Sequence, residues 1–195
     1  MIKRNRYDPG ALTKAQIKKL ISIIDNQRDS ILIRLGLYSG CRVNELTTLN
    51  AQNVNYKAGT IRVWDQKKDT YYNRKKKKSF PALGRKYRTI YVPIDLLLEI
   101  QAYQGRLKNK KHGSVFGLNY RTYEKVLHKY TEIAFGARRS WHVLRHTYAT
   151  QSLNSGRSIK YVARQMGDDE AVVARVYHQQ SPEQIEKERA IDIYS

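Results

Sequence analysis

The chain has 195 residues, enough for one domain with a full core, or for one domain and an arm. Lys and Arg outnumber Asp and Glu by 37 to 17, a formal charge of +20, which exceeds what solubility requires and calls for a polyanionic partner. No apolar run approaches the roughly 20 residues that span a bilayer, and no Lys/Arg-rich amphipathic helix stands out, so a membrane is set aside and nucleic acid is expected.

Residues 1–10 carry Lys3, Arg4 and Arg6 without an apolar period and read as a basic lead-in or linker, with one domain following over residues 11–195. There is no signal-like amino end, and the lone Cys41 cannot form an internal disulfide, so an intracellular, reducing compartment is expected. Cys41 itself reads as a small buried residue. Thr13 is a plausible N-cap for a helix that carries Ile17, Leu20, Ile21 and Ile24 at helical spacing. A second helix runs through Ile31, Leu32, Leu35 and Leu37 and stops at Tyr38 and Gly40. Arg42 then opens a helix to Leu49, with Leu46 and Leu49 facing inward and Glu45 one turn on. An arginine at a helix start opposes the dipole, and an anion shared with that end relieves the conflict.

Thr60–Trp64 and Arg88–Val92 alternate as strands and form a hairpin, which Pro93 ends. Between them lies DQKKDTYYNRKKKKSFPALGRKY, with nine Lys and Arg residues and the pair Tyr71 and Tyr72. It is too long for a tight turn. Its charge predicts a mobile basic loop that orders on a phosphate backbone, with binding that falls steeply as salt rises. Asp95 starts a helix through Ile100, and a polar stretch follows from Gln104 to Gly113. The next helix runs from Asn119 to about Phe135, with Tyr120, Tyr123, Leu127, Tyr130 and Ile133 as its inner face.

In WHVLRHTY, His142 and Arg145 stand one helical turn apart, the spacing at which an imidazole and a guanidinium reach one anion. That helix continues to Asn154, and Gly156 is a fitting C-cap. Ser158 caps a helix with Ile159, Val162 and Met166 that ends at Gly167. Asp168 or Asp169 caps a short helix over Glu170–Val176, and Tyr177 emerges at its end. Ser181 and Pro182 open a last helix that carries Ile185, Ala190, Ile191 and Ile193. The fold class is α+β, mainly α, with a small antiparallel hairpin or sheet.

From about Leu12 to Ile193 the chain resembles the catalytic domain of the tyrosine recombinases, the phage-integrase and Xer type of enzyme. The resemblance rests on three ordered segments: GCRVNEL with Arg42, HVLRHT with His142 and Arg145, and VARVYHQ with Tyr177. It implies a DNA-breaking and rejoining enzyme that acts at specific sites through a covalent 3′-phosphotyrosyl intermediate. Arg42 and Arg145 would hold the non-bridging oxygens, Tyr177 would attack, and His142 would accept a proton or orient the phosphate. A lysine near the end of the first hairpin strand would protonate the leaving oxygen. Lys67 fits best by distance from the strand, with Lys68 and Lys86 as alternatives.

The resemblance further implies double-stranded DNA as partner and no metal or cofactor. It also implies self-association as a tetramer on DNA through the C-terminal helix, and a cytoplasmic location at nucleoid, viral or mobile-element DNA. His112, His128, His142, His146 and His178 show no zinc spacing. The amino-terminal DNA-clamping domain usual in the family has no counterpart in these residues. One position departs from the family. Where it commonly has His or Trp, this chain has Asp168, and a carboxylate there repels a phosphate unless it is protonated or paired with a cation. Asp168 is read as a helix cap facing away. A catalytically weak DNA-binding protein on the same scaffold is the alternative from another class, and supercoil relaxation of the type IB topoisomerase kind is a third.

Overall fold

Capping chemistry fixes most helix boundaries. The computed structural model describes residues 10–64, 70–73, 78–81, 87–106 and 115–177. Helix α1 (Lys14–Ser22) starts behind Thr13, whose hydroxyl accepts from the Gln16 N–H while the Gln16 side chain accepts from the Thr13 N–H. Two otherwise orphaned donors are thus satisfied reciprocally. Helix α2 (Gln27–Ser39) starts behind Asn26 and ends on Gly40, which is left-handed at φ 61°. Helix α3 (Val43–Thr47) is shorter than the expected Arg42 to Leu49, because Arg42 is the cap residue and Thr48 leaves the helix. Leu46 and Leu49 are buried as expected.

Strand β1 (Val54–Asn55) pairs with β2 (Thr60–Trp64), and β2 pairs on its other side with the strand at Tyr87–Tyr91, all antiparallel. The expected hairpin is present, with Thr60 opposite Tyr91 and Trp64 opposite Tyr87. Within the basic segment, β3 (Thr70–Asn73) and β4 (Lys78–Pro81) form a separate antiparallel ribbon, and Tyr87–Tyr91 is β5. The charge run predicts a mobile basic loop here, and the paired strands are not part of that expectation. Backbone pairing across a short connection needs no apolar alternation, so the charge run concealed it.

Helix α4 (Ile94–Arg106) follows, and it extends through Gln104 and Gly105, where the sequence predicts a polar stretch. Helix α5 (Tyr120–Phe135) is capped by Asn119 and stopped by Gly136. Its buried stripe is Tyr123, Val126, Leu127, Tyr130, Thr131 and Ala134. Tyr120 and Ile133, expected on the inner face, are exposed. Ile133 lies about a quarter turn off that stripe, and Tyr120 precedes it in the first turn. Helix α6 (His142–Asn154) crosses α2 closely, because Gly36 has no side chain. A Cβ there would stand 2.7 Å from Trp141 Cζ2 and 2.9 Å from Leu144 Cδ1.

Helix α7 (Ile159–Met166) is capped by Ser158 and closed by left-handed Gly167, and α8 (Glu170–Tyr177) completes the described chain. The main core joins α1 to α6 and the three-stranded sheet. A second cluster of Tyr148, Ala149, Val162, Ala163, Met166 and Val173 holds α6, α7 and α8 together. Among the described residues no helix is long and apolar enough to cross a membrane.

Gly40 sits where the two clusters meet. A Cβ on it would stand 2.5 Å from Tyr148 Cδ1, on a backbone that L side chains avoid. Gly40→Ala is therefore expected to cost roughly 2–4 kcal/mol, from the left-handed backbone and the overpacking together. Chemical denaturation checks this as a lowered midpoint at unchanged slope.

Candidate active site

The turn from α2 into α3 brings Arg42 to the entrance of a helix. Its backbone N–H donates to Glu45 Oε2 at 2.8 Å, so the first-turn carboxylate supplies the negative charge that the helix start favours. The Arg42 side chain is left to reach outward. Its Nη1 lies 3.4 Å from Glu45 Oε1 and 3.5 Å from the Gly167 carbonyl, and its Nη2 donates to Asp168 Oδ1 at 2.5 Å.

Arg145 approaches from the first turns of α6 and is 5% exposed. Its Nη1 donates to the Gly40 carbonyl at 2.5 Å and to the Met166 carbonyl at 3.0 Å, which fixes the guanidinium plane. Its Nη2 donates to Asp168 Oδ2. One carboxylate thus bridges two arginines. Asp168 is 126 positions from Arg42 and 23 from Arg145, and the fold alone brings the three together.

The expectation that Asp168 caps a helix and faces away is corrected. The first backbone bonds of α8 run to the Asp169 carbonyl, from the N–H groups of Val172 and Val173 at 3.0 and 3.1 Å. Asp168 instead points at the guanidinium pair, which neutralises the repulsion that its charge would otherwise create.

Sequence reasoning missed Arg88. It lies on β5 and donates through Nη1 and Nη2 to the two oxygens of Glu45, both at 2.7 Å, and through Nε to the Gln165 carbonyl at 3.0 Å. Glu45 is 1% exposed, so its charge depends on these donors. Gln165 extends the tie to β5, since its side chain exchanges two 2.9 Å hydrogen bonds with the Tyr91 backbone. The usable signal is alternation, because Arg88 shares the inward face of its strand with Ile90, and buried Val92 continues the pattern just past the strand end.

His142 is exposed at the start of α6, one turn before Arg145. Tyr177 is the last residue of α8, and its side chain lies outside the described residues, as do Lys67, Lys68, Lys86 and His178. Arg42 and Arg145 are therefore brought to one anion, while the positions of the expected lysine and of the phenol oxygen are not described. Cys41 is fully buried, and desolvation pushes its thiol up to about 11 despite the nearby Arg88 guanidinium, which agrees with a core role. The Tyr148 phenol is also buried, and desolvation raises its pKa.

Residues 11–184 match the phage integrase family. The tyrosine recombinase XerA of Pyrococcus furiosus is 29% identical over 184 residues, covering 87% of this chain and 57% of that protein, so the chain spans little more than half of that relative's length. The crystal structure of XerA recombinase superimposes with a TM-score of 0.74 at 19% identity, over 96% of this chain and 68% of the other. XerH site-specific recombinase, in a pre-cleavage complex with its difH substrate, gives a TM-score of 0.67 at 19% identity, over 95% and 53%. At such identities the two structures establish a shared fold.

Proposed function

The chain belongs to the phage integrase family, and from that premise we propose that it is a site-specific tyrosine recombinase acting on double-stranded DNA. The observation that carries this reading is the convergence of Arg42 and Arg145 on one carboxylate, since a site that holds a two-oxygen anion in two guanidinium forks also accepts a phosphodiester. The formal charge of +20 supplies the long-range attraction to duplex.

In the proposed reaction the Tyr177 oxygen attacks phosphorus and the bond from phosphorus to the 5′ oxygen breaks. The strand then carries a 3′-phosphotyrosyl link and a free 5′ hydroxyl. The phenol proton passes to His142, and Lys67 gives a proton to the departing 5′ oxygen. Arg42 and Arg145 stabilise the charge that gathers on the non-bridging oxygens, which is worth orders of magnitude in rate. The link stores the bond energy, so a second 5′ hydroxyl can reverse the step on another strand. Assembly as a tetramer on DNA through the helix expected after Ser181, and action in the cytoplasm at nucleoid or mobile-element DNA, belong to the same proposal.

A second reading, a DNA-binding protein with weak or no cleavage, draws support from Asp168, which fills the arginine pair. Trapping separates the two. Nicked duplex carrying the junctions that flank the coding DNA is expected to yield a protein–DNA adduct that survives denaturation. Tight binding without any adduct would favour the second reading. Relaxation of a supercoiled plasmid without site dependence would instead point to topoisomerase-like action.

A further inference from the structure

We propose that Asp168 is a built-in competitor for the anion site, so that the scissile phosphate enters only by displacing this carboxylate from Arg42 and Arg145. The inference rests on the proposed recombinase reading for its catalytic consequence, and on geometry alone for the binding consequence. Both Asp168 oxygens are engaged, one by each guanidinium. A carboxylate and a phosphodiester present the same pair of charged acceptors to an arginine fork, so they contend for the same N–H groups. Side-chain exposures of 6% for Arg145 and 12% for Asp168 place the contest where charge is weakly screened.

The backbone under Asp168 is seated. Its N–H donates to the Ala163 carbonyl at 3.1 Å, and Gly167 before it is left-handed and packed against Arg88, so closely that a Cβ would meet the guanidinium at 2.7 Å. The loop cannot easily retreat. The carboxylate must therefore leave by rotation of its own side chain, toward the more open side at Arg42, which keeps 26% of its side-chain surface. Only Asp169 separates Asp168 from α8, the helix that ends in Tyr177, so exchange of one anion for the other takes place at the root of the proposed nucleophile's helix.

The test uses inorganic sulfate and nicked duplex with the full chain, comparing wild type with Asp168→Asn and Asp168→Ala. At constant ionic strength, with chloride exchanged for sulfate, the variants are expected to bind sulfate about 10-fold more tightly than wild type or better, as a charged acceptor is lost from the pair. The readout is the rise in unfolding temperature with sulfate. Arg42→Gln placed on Asp168→Asn should cancel the gain. With nicked duplex, Asp168→Asn should form adduct about 10-fold faster in a single turnover.

An identical sulfate response in wild type and both variants would overturn the proposal and leave Asp168 as a structural bracket. A gain that survives Arg42→Gln would also overturn it, because sulfate would then be bound elsewhere on the basic surface. A sulfate gain without adduct in any version would sustain the competitor and remove the recombinase reading. A variant destabilised without sulfate still reports, since restoration by sulfate supports the competitor and failure to restore counts against it.

Discussion

Tyr177→Phe is expected to eliminate the covalent protein–DNA adduct, lowering its rate of formation by roughly 10⁴-fold or more, the scale on which loss of a covalent nucleophile acts. Duplex affinity should stay as it was. The substitution removes one oxygen and no charge, while the attraction to phosphate comes from the cationic surface. The chain has 15 tyrosines, so the control lies in the others. Tyr148 is the instructive one, being close to Arg145 in sequence and 4% exposed within the second apolar cluster. Its phenol is held away from solvent, and burial raises its pKa, so it can neither meet a DNA strand nor ionise readily. Tyr161 is half-buried on α7 with the Arg157 guanidinium 5.2 Å over its ring. Tyr148→Phe and Tyr161→Phe should both retain the adduct. Its persistence in Tyr177→Phe, or its disappearance in Tyr161→Phe, would move the nucleophile elsewhere.

The contrast between Asp168 and Ser158 shows what a sequence reading can reach. Ser158 and Thr13 cap helices through N–H groups three positions away, so the whole interaction lies within one local window. Gly40, Gly136 and Gly167 stop helices for an equally local reason, the left-handed backbone. Asp169, not Asp168, stands immediately before α8, and its carbonyl accepts the first backbone bonds of that helix. Asp168 answers to Arg42, which the fold brings from 126 positions away, and no window along the chain contains that pairing. The family resemblance located both arginines without revealing what lies between them. Arg88 escaped for a different reason. Alternation marks apolar residues that face inward, but it carries no sign of the buried carboxylate, 43 positions away, that a charged residue on the same face serves. The β3 and β4 ribbon was concealed by lysines, because charge patterning reports on solvation and the ladder is a matter of backbone.

Glu45→Gln is expected to lower stability by about 3–5 kcal/mol, the cost of stranding a buried charge when its partner is neutralised. Glu45 occupies a fully enclosed position. It accepts from Arg88 through both oxygens at 2.7 Å and from the Arg42 N–H at 2.8 Å, with Arg42 Nη1 at 3.4 Å. Glutamine keeps the volume but returns one acceptor and one donor, and that donor faces a guanidinium with the wrong polarity. The Arg88 side chain is 10% exposed, so water cannot readily make good the loss. At about 2–4 °C per kcal/mol for a chain of this size, the unfolding temperature should fall by roughly 6–20 °C. Arg88→Leu should cost a similar amount, because it strands Glu45 instead. Glu45→Leu combined with Arg88→Leu should then cost clearly less than the two single changes together, since neither charge is left behind. Additive losses in that cycle would show that the two groups act through separate neighbours. If stability instead stayed within about 1 kcal/mol of wild type in Glu45→Gln, the pair would be behaving as a solvated surface bridge, and the anchoring of Arg42 through Glu45 would have to be abandoned.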